Sequence, residues 1–193
     1  MITVKYYGLT DMGMVRTNNE DTFHVSNVWD DRHVLAMAID GVGGYEGGAV
    51  AARIARDTIA DFYKTTETAT LKDAVVAANN KIYQSRQETA QYNQMSCVLT
   101  AVLIDLDENK VAMAHVGDTR LYQFYDGNIS KLSHDHSLVG YREEIGELTE
   151  QEAMAHPNRN IVSKVVGMEL ISADSDYVEC HEFPIVVNST LLL

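Results

Sequence analysis

Three short acidic segments stand at the ends of predicted strands and hold residue types that could bind metal ions. They are RTNNED at residues 16–21, DGVGG at residues 40–44 and VGDTR at residues 116–120. Carboxylates there would project from rigid positions into a shared cleft, and hard divalent cations such as Mg²⁺ and Mn²⁺ prefer oxygen ligands. An aspartate followed by glycines, as at Asp40, can also offer a backbone carbonyl, because no side chain blocks the approach.

Each of these segments, taken alone, has a simpler structural explanation. The pair Asp40-Gly41 is foremost a turn signal, and Gly117-Asp118 is an ordinary tight turn. The acids at residues 20–21 could simply begin a polar strand. Only the three segments together, in this order, point to a metal site.

Three known phosphate-binding or phosphate-cleaving motifs that use glycine, aspartate or cysteine do not fit this sequence. The glycines that follow it lack the Lys-Ser/Thr ending of a phosphate-binding loop and do not follow the dinucleotide pattern, so we expect no nucleotide cradle. A phosphatase that forms a phosphoaspartate needs a second aspartate two residues from the first, where this chain has Ala38 and Val42. Neither Cys97 nor Cys180 lies in a glycine-rich loop that ends in arginine, as a cysteine phosphatase requires.

Composition limits the class of protein and its partners. The 193 residues suit one domain, and 46% hydrophobic with 22% charged residues is typical of a globular chain. A formal net charge of −13 argues against nucleic acid as the main partner, since phosphate contacts need clustered Lys and Arg. The chain has no apolar run of the roughly 18 residues that a membrane span needs, and its N-terminus does not resemble a signal peptide. Two distant cysteines indicate a reducing compartment, so we expect a cytoplasmic protein without a membrane partner.

Hydrophobic periodicity predicts strands on both sides of a helical block. The strands are expected at residues 2–7, 22–28, 33–39, 97–105, 110–116, 120–125, 129–132 and 177–183. Helices are expected at residues 47–64, 71–92 and 161–166, with a polar, partly helical stretch at residues 137–160. This order lacks the strict βαβ alternation of a parallel sheet, so we expect a mostly antiparallel sandwich with helices outside.

Two apolar stripes indicate how the helices should pack. In the first helix, the stripe consists of Val50, Ile54, Ile59 and Phe62. In the second helix, it consists of Leu71, Val75, Ala78 and Ile82, at positions i, i+4, i+7 and i+11. Both stripes should face a sheet.

The motifs in this order resemble those of the metal-dependent Ser/Thr protein phosphatases of type 2C, in their compact bacterial form. The matching stretches are GLTDMG at residues 8–13, Arg16 with NED at residues 19–21, AIDGVGG at residues 38–44, AHVGDTRLY at residues 114–122, LSHDHS at residues 132–137 and NIVS at residues 160–163, up to Gly167. The resemblance covers essentially the whole chain.

The resemblance implies an α+β fold, a four-layer α-β-β-α sandwich of two mostly antiparallel sheets flanked by helices. It places a centre for Mn²⁺ or Mg²⁺ at one end of the sheets, with two catalytic ions. Asp40 would bridge both ions, and the Gly41 carbonyl and Glu20 would bind one of them. Asp21 would order the waters of that ion. Asp118 matches a ligand of a third, weaker ion.

The resemblance also implies the reaction and the partners. Arg16 matches the residue that grips the substrate phosphate, and its planar fork can donate two hydrogen bonds to it. A metal-activated water would hydrolyse phosphoserine and phosphothreonine without a covalent enzyme intermediate. The expected partners are phosphorylated proteins, namely a Ser/Thr kinase and its substrates. The stretch at residues 137–160 matches a flap over the substrate.

Several positions depart from the family pattern or fit a structural role. Some relatives carry a histidine general acid after the Asp-Gly pair, where this chain has Val42. Protonation of the leaving group would then fall to water or another residue. We expect His136 to make structural hydrogen bonds and His156 to be a flap residue.

The family pattern continues beyond the equivalent of Leu193 with a second Asp-Gly pair and a final aspartate, which complete one catalytic metal site. After Gly167 no acidic residue of this chain is followed by glycine. We therefore expect residues 1–193 to form a single phosphatase-like catalytic domain that lacks the C-terminal metal-binding segment and is weakly active or inactive. The alternative is a non-catalytic module of the same fold that binds phosphorylated partners.

Overall fold

Strands and α-helices contribute almost equally to the part of the chain that the structure describes. The computed structural model describes residues 2–43, 47–65, 70–88 and 90–193. The strands are β1 Thr22–Val28, β2 Asp30–Val42, β3 Ser96–Asp105, β4 Lys110–Val116, β5 Tyr122–Tyr125, β6 Asn128–Lys131, β7 Glu179–Pro184 and β8 Thr190–Leu192. The α-helices are α1 Gly47–Thr65, α2 Leu71–Glu88, α3 Leu138–Glu144 and α4 Glu150–Ala155. None of the described helices is both long enough and apolar enough to cross a membrane.

The strands form two sheets. The first has the order β1-β2-β3-β4-β7 and the second the order β6-β5-β8. Every pair of neighbouring strands is antiparallel. Two antiparallel sheets with four α-helices, counted over the described ranges, confirm the predicted α+β fold class.

Helices α1 and α2 cover one face of the first sheet, and the apolar stripe of each helix packs against that face to a different extent. The predicted stripe of α2 is confirmed, because Leu71, Val75, Ala78 and Ile82 are all buried. In α1 only Ile59 of the predicted stripe is fully buried, whereas the other three residues are partly buried against the core. The most buried face of α1 instead carries small residues, which allow its backbone to approach the sheet closely. They are Gly47, Gly48, Ala51, Ala52 and Ala55.

A second core lies between the two sheets. Val102, Val111, Met113 and Leu121 form its centre, and the partly buried Leu191 is among the residues packed against it. Side chains alternate across a strand, so the first sheet uses one set of residues for the helices and the other for the second sheet. Strands covered on both faces read as continuous apolar runs, as the sequence of β2 and β3 does.

Two predicted elements are wrong. Residues 161–166 form no helix, because their backbone pairs elsewhere: Val162 bridges Ser137 and Val166 bridges Cys97. Residues 2–7 form no strand, since they pair with none of the described strands. Tyr6 contacts β1 only through its side chain, with the Tyr6 hydroxyl 3.0 Å from Asn27 Oδ1. The second helix also ends earlier than predicted, at Glu88, and residues 90–92 form a short 3₁₀ turn.

Candidate metal and phosphate site

The three acidic segments meet at one end of the strands of the first sheet because of its antiparallel topology. The start of β1 pairs with the end of β2, with Thr22 opposite Ile39. The end of β4 pairs with the start of β3, with Val116 opposite Leu99. Asp40 pairs with Val98 on the same β3 segment. Antiparallel pairing therefore brings residues 16–21, 40–43 and 116–120 to the same end of the sheet.

Glycines allow Glu20 to lie against the end of β2. The Gly41 amide donates to the Glu20 carbonyl at 3.2 Å. A Cβ atom on Gly41 would lie 2.4 Å from the backbone carbonyl of Gly48, and one on Gly48 would lie 2.7 Å from the backbone carbonyl carbon of Gly41 and 3.0 Å from Glu20 Oε2. Only glycine fits at these two positions, so the Glu20 carboxylate lies beside Gly41 and the first turn of α1.

Asp40 is the most perturbed acid of this cleft. Its side chain remains open to the cleft, but the surrounding protein removes much of its hydration. This burial, followed by the charge of Asp21, a hydrogen bond with Asp21 and the charge of Asp118, raises the pKa of Asp40 to about 7. The Arg16 guanidinium acts in the opposite direction and lowers that pKa. Asp40 therefore interacts electrostatically with three of the other predicted site residues.

Asp118 enters the cleft from a turn that requires glycine. Gly117 has a φ of +112°, and a Cβ atom there would lie 2.2 Å from Val98 Cβ. Burial, followed by the charge of Asp135, raises the pKa of Asp118. The Asp118 side chain is half-buried, whereas Arg16 is exposed in the segment that precedes β1.

The predicted carboxylates share a cleft without forming a tight cluster. Among the residues that the structure describes, no three of these carboxylates have ligand oxygens within 4.8 Å of one another. Burial is the largest cause of the raised pKa of Asp40, and the charges of Asp21 and Asp118 add to it. A cation would offset both effects. The candidate donors are carboxylate oxygens and the backbone carbonyl of Gly41, against which Gly48 packs without a side chain. These features fit a hard divalent cation.

Comparison with known proteins identifies the family. A family model described as protein phosphatase 2C matches residues 15–173. The chain belongs to the protein phosphatase 2C family. This assignment agrees with the resemblance found in the sequence motifs.

Bacterial phosphatases are among the relatives of this family member. The serine/threonine phosphatase stp of Listeria welshimeri is 31% identical over 192 residues, which cover 95% of this chain. The protein phosphatase PhpP of Streptococcus pneumoniae is 32% identical over 168 residues and 83% of this chain. The crystal structure of the serine/threonine phosphatase Stp1 from Staphylococcus aureus superimposes with a TM-score of 0.79 and 28% identity over 92% of this chain and 70% of that one. The chain spans between 65% and 73% of the length of the relatives that it matches in sequence.

Hydrogen bonds from the segment before α3 hold the Gly117-Asp118 turn of this phosphatase 2C fold in place. The His136 amide donates to the Gly117 carbonyl at 2.7 Å, and the Gly117 amide donates to His136 Nδ1 at 3.1 Å. Ser137 caps α3 by accepting from the Gly140 amide at 2.9 Å. The structural role predicted for His136 is confirmed.

An ion-pair network that the sequence did not predict connects the Asp118 turn to the flap, which contains α3 and α4. Arg120 donates to Asp135 Oδ2 through Nη2 at 2.6 Å and through Nε at 2.9 Å. It also contacts Glu143 of α3 and Glu150 of α4. Burial alone would lower the pKa of Arg120, but hydrogen bonds to Asp135 and Tyr122 raise it. The only signal in the sequence was the position of Arg120 within the VGDTR motif.

An open cavity of about 940 Å³ adjoins the acidic cleft. Its lining includes Thr17 and Asn18, which follow Arg16, together with Gly43 and Gly47. Arg53 of α1 and the residues around Tyr92 form the remaining walls. None of the predicted metal ligands lines this cavity, so it adjoins the acidic cleft without containing it.

Proposed function

We propose that the chain hydrolyses phosphoserine and phosphothreonine in proteins with a water molecule activated by divalent cations. The observation that carries this proposal is the meeting of Asp40, Asp21, Asp118 and Arg16 at one end of the first sheet, reflected in the pKa of Asp40. Membership of the phosphatase 2C family supports it. The relatives named above are protein phosphatases.

The proposed ligands are those that face the cleft. Asp40 would bridge two ions, Mn²⁺ or Mg²⁺, with Glu20 and the Gly41 carbonyl on one of them and Asp21 holding its waters. Asp118 would serve a third, weaker ion. When bound, such ions lower the pKa of a bridging water and neutralise charge on the phosphoryl oxygens.

Arg16 is the proposed phosphate-binding residue. It is exposed, and its charge reaches Asp40, whose pKa it lowers. A guanidinium can donate two parallel hydrogen bonds to a phosphate, which fixes both the position and the orientation of the group. Arg16 would thereby hold the phosphorus in line with the attacking water.

The cavity beside the cleft and the flap are the proposed determinants of substrate access. The cavity, bordered by Thr17, Asn18 and Arg53, offers polar groups on which residues flanking a phosphoserine could lie. The flap contains α3 and α4, which Arg120 ties to the Asp118 turn. Val42 is exposed at the end of β2 and cannot donate a proton, so water or another residue would protonate the leaving group.

The alternative function, a non-catalytic module that binds phosphorylated partners, is not favoured by the comparisons, because the relatives are phosphatases. We propose that the substrates are proteins phosphorylated by a bacterial Ser/Thr kinase, with the kinase itself among them. The weak activity expected of residues 1–193 and the contribution of further C-terminal ligands stay predictions.

The proposal is tested by phosphate release from a phosphothreonine peptide. The assay is run with Mn²⁺, with Mn²⁺ plus excess chelator, and after Mn²⁺ is restored. It uses this chain and the same chain extended at Leu193 by the C-terminal metal-binding segment of the family. We expect release that the chelator abolishes and Mn²⁺ restores.

The two forms of the chain separate the function from the effect of length. Turnover by the extended form alone would support both the phosphatase function and the predicted weakness of residues 1–193. Turnover by both forms would support the function and refute that weakness. If neither form releases phosphate while both bind the phosphopeptide, the binding-module function is the correct one.

A further inference from the structure

Four histidines surround one glutamate on the edge strand of the first sheet. Glu179 is the first residue of β7 and pairs with His115 of β4. His134 and His136 approach it from the segment between β6 and α3, and His181 lies two residues further along β7. Residues i and i+2 of a strand share a face, so Glu179 and His181 project to the same side. None of these five residues belongs to the proposed ligand set of the catalytic ions.

Glu179 is held in one orientation by its two oxygens. Oε2 accepts from the His134 amide at 3.3 Å and lies 3.4 Å from His136 Nε2. Oε1 lies 2.8 Å from His134 Nδ1 and 3.0 Å from His181 Nε2. Burial alone would raise the pKa of Glu179, but hydrogen bonds with His136 and His134 lower it to about 2. The carboxylate is therefore ionised, with Oε2 fixed by one part of the cluster and Oε1 directed to two imidazoles.

His115 and His136, the two less exposed histidines of the cluster, have no nitrogen lone pair to offer a metal. His115 Nε2 lies 3.0 Å from the Gly117 carbonyl and 3.1 Å from the His134 carbonyl, so this nitrogen carries the proton. His115 Nδ1 then accepts from Thr100 at 2.8 Å. His136 Nδ1 accepts from the Gly117 amide, which leaves the proton on Nε2, facing Glu179. Both rings are fully used as structural donors and acceptors.

The two outer histidines are accessible and face the same carboxylate oxygen. The side chains of His134 and His181 are 54% and 50% exposed, whereas Glu179 is only 11% exposed. One ligand atom from each of the three residues lies within 4.8 Å of the other two. Ligand atoms about 2.0–2.1 Å from a tetrahedral ion are separated by about 3.4 Å. The contacts of 2.8 and 3.0 Å would thus need to open by about half an ångström, which exposed side chains can accommodate.

The chemistry of these three residues differs from that of the acidic cleft. Two imidazoles with one carboxylate suit Zn²⁺ and similar transition ions, whereas Mg²⁺ prefers oxygen alone. A ligating histidine usually donates its other ring N–H to a carboxylate. Glu144 of α3 lies on that side of His134, with its Oε1 3.7 Å from His134 Nε2, which is beyond hydrogen-bond distance in the metal-free chain.

We propose that His134, Glu179 and His181 form a binding site for Zn²⁺ or a similar transition-metal ion, with water completing the coordination. Glu179 supplies Oε1, and each of the two histidines supplies one ring nitrogen. The ion takes the place of the N–H proton on the nitrogen of each ring that faces Glu179, and each neutral imidazole keeps one proton on its other ring nitrogen.

The test is isothermal titration of the whole chain with ZnCl₂ in excess Mg²⁺, which fills sites made of oxygen ligands without competing for imidazole. We expect one Zn²⁺ per chain. His134→Ala and His181→Ala should each weaken binding at least about 10-fold, the least that a change in the surroundings of a metal typically costs. Both residues are exposed, and unchanged circular dichroism of each variant checks that the fold is intact.

Two matched variants guard against binding elsewhere. His156→Ala removes a histidine outside every cluster of metal-ligating side chains found among the described residues, and it should leave Zn²⁺ affinity unchanged. His33→Ala removes the histidine of a separate cluster with Asp30 and Asp107, and it should also have no effect. Absence of Zn²⁺ binding, undiminished binding by the His134→Ala/His181→Ala double variant, or loss of binding only in His33→Ala would each overturn the proposal.

Discussion

The acidic cleft and the histidine cluster lie at the same end of the strands of the first sheet, yet the pKa values of their central carboxylates are shifted in opposite directions. Asp40 is surrounded by Asp21 and Asp118, and its pKa rises to about 7. Glu179 is surrounded by imidazoles, and its pKa falls to about 2 although burial opposes this. Burial acts in the same direction on both groups, so the neighbouring charges and hydrogen bonds decide the outcome.

This difference separates two kinds of ion site. The cleft concentrates negative charge that the protein itself does not neutralise, which suits hard cations held by oxygen. The cluster around Glu179 already satisfies its carboxylate with internal donors, so a metal must replace protons there. Such replacement is favourable only for an ion that binds imidazole well.

The largest expected effect comes from Asp40, because it is the one residue proposed to contact both catalytic ions. Asp40→Asn should lower kcat/KM for a phosphothreonine peptide at least about 100-fold, since even outer-shell changes at metal sites cost 10- to 100-fold. The assay uses the form of the chain that releases phosphate. Asp174→Asn, at an exposed acid far along the chain, serves as the control. Equal activity of the two variants would contradict the proposed role of Asp40.

The second prediction concerns stability at the histidine cluster. Glu179→Gln should lower the free energy of unfolding at pH 7 by about 2–3 kcal/mol, from the depressed pKa of a largely buried carboxylate. A carboxylate whose pKa is lower in the folded state stabilises the fold at pH values above its pKa in the unfolded state. The difference in free energy of unfolding between Glu179→Gln and the unsubstituted chain should therefore vanish as the pH falls from about 4.5 towards 2.

Urea titration of Glu179→Gln measures this loss, with Glu182→Gln as the matched variant on the same strand. Glu182 is exposed and pairs with Lys110 at 3.5 Å, an arrangement that contributes little to stability. If both variants lose the same free energy, the hydrogen bonds to Glu179 do not have the strength inferred here.

The third prediction has the opposite sign. Asp40→Asn should stabilise the metal-free chain at pH 8 by about 1–2 kcal/mol, a value reduced from the full pKa shift because solvent screens the open side of Asp40. A raised folded-state pKa means that ionisation destabilises the fold above the unfolded value of 3.8. The gain should disappear below about pH 4, where Asp40 is protonated in both states. Urea titrations in the presence of chelator at pH 8 and pH 4 measure this gain, and a destabilised variant at pH 8 would show that burial and the neighbouring carboxylates do not disfavour ionised Asp40.

The smallest expected effect is that of His181. Its side chain is half exposed, and exposed ion pairs contribute at most about 1 kcal/mol. His181→Ala should therefore change the free energy of unfolding by no more than about 0.5 kcal/mol, although it weakens Zn²⁺ binding. Thermal unfolding without metal checks this, and a large loss would mean that His181 is a structural residue of the cluster.

Local patterns predicted most of the fold. The bounds of β1 and β4 agree with the predicted strands, and the α2 stripe is buried as expected. Residues 161–166 misled the prediction because their apolar spacing resembles a helix. Their conformation is set instead by backbone pairing with Cys97 and Ser137, which no local pattern encodes.

The two sites differ in how far they could be predicted. The acids of the cleft lie within recognisable motifs, and the strand topology brings them to one end of the first sheet. Their roles as ligands stay predictions. The cluster around Glu179 was missed, because it depends on the pairing of β4 with β7, which places Glu179 opposite His115. Nothing within either segment specifies that register.

The pairing of β2 with β3 makes the acidic cleft intolerant of insertions. Asp40 lies opposite Val98, and Ile39, the residue before it, is buried in the helix-facing core. Because side chains alternate along a strand, one residue added to β2 before Ile39, and not absorbed by a bulge, would exchange these two environments, placing a carboxylate in the core and an isoleucine in the cleft. Homologous chains should therefore keep constant the number of residues between the β1–β2 turn at Trp29 and Asp40.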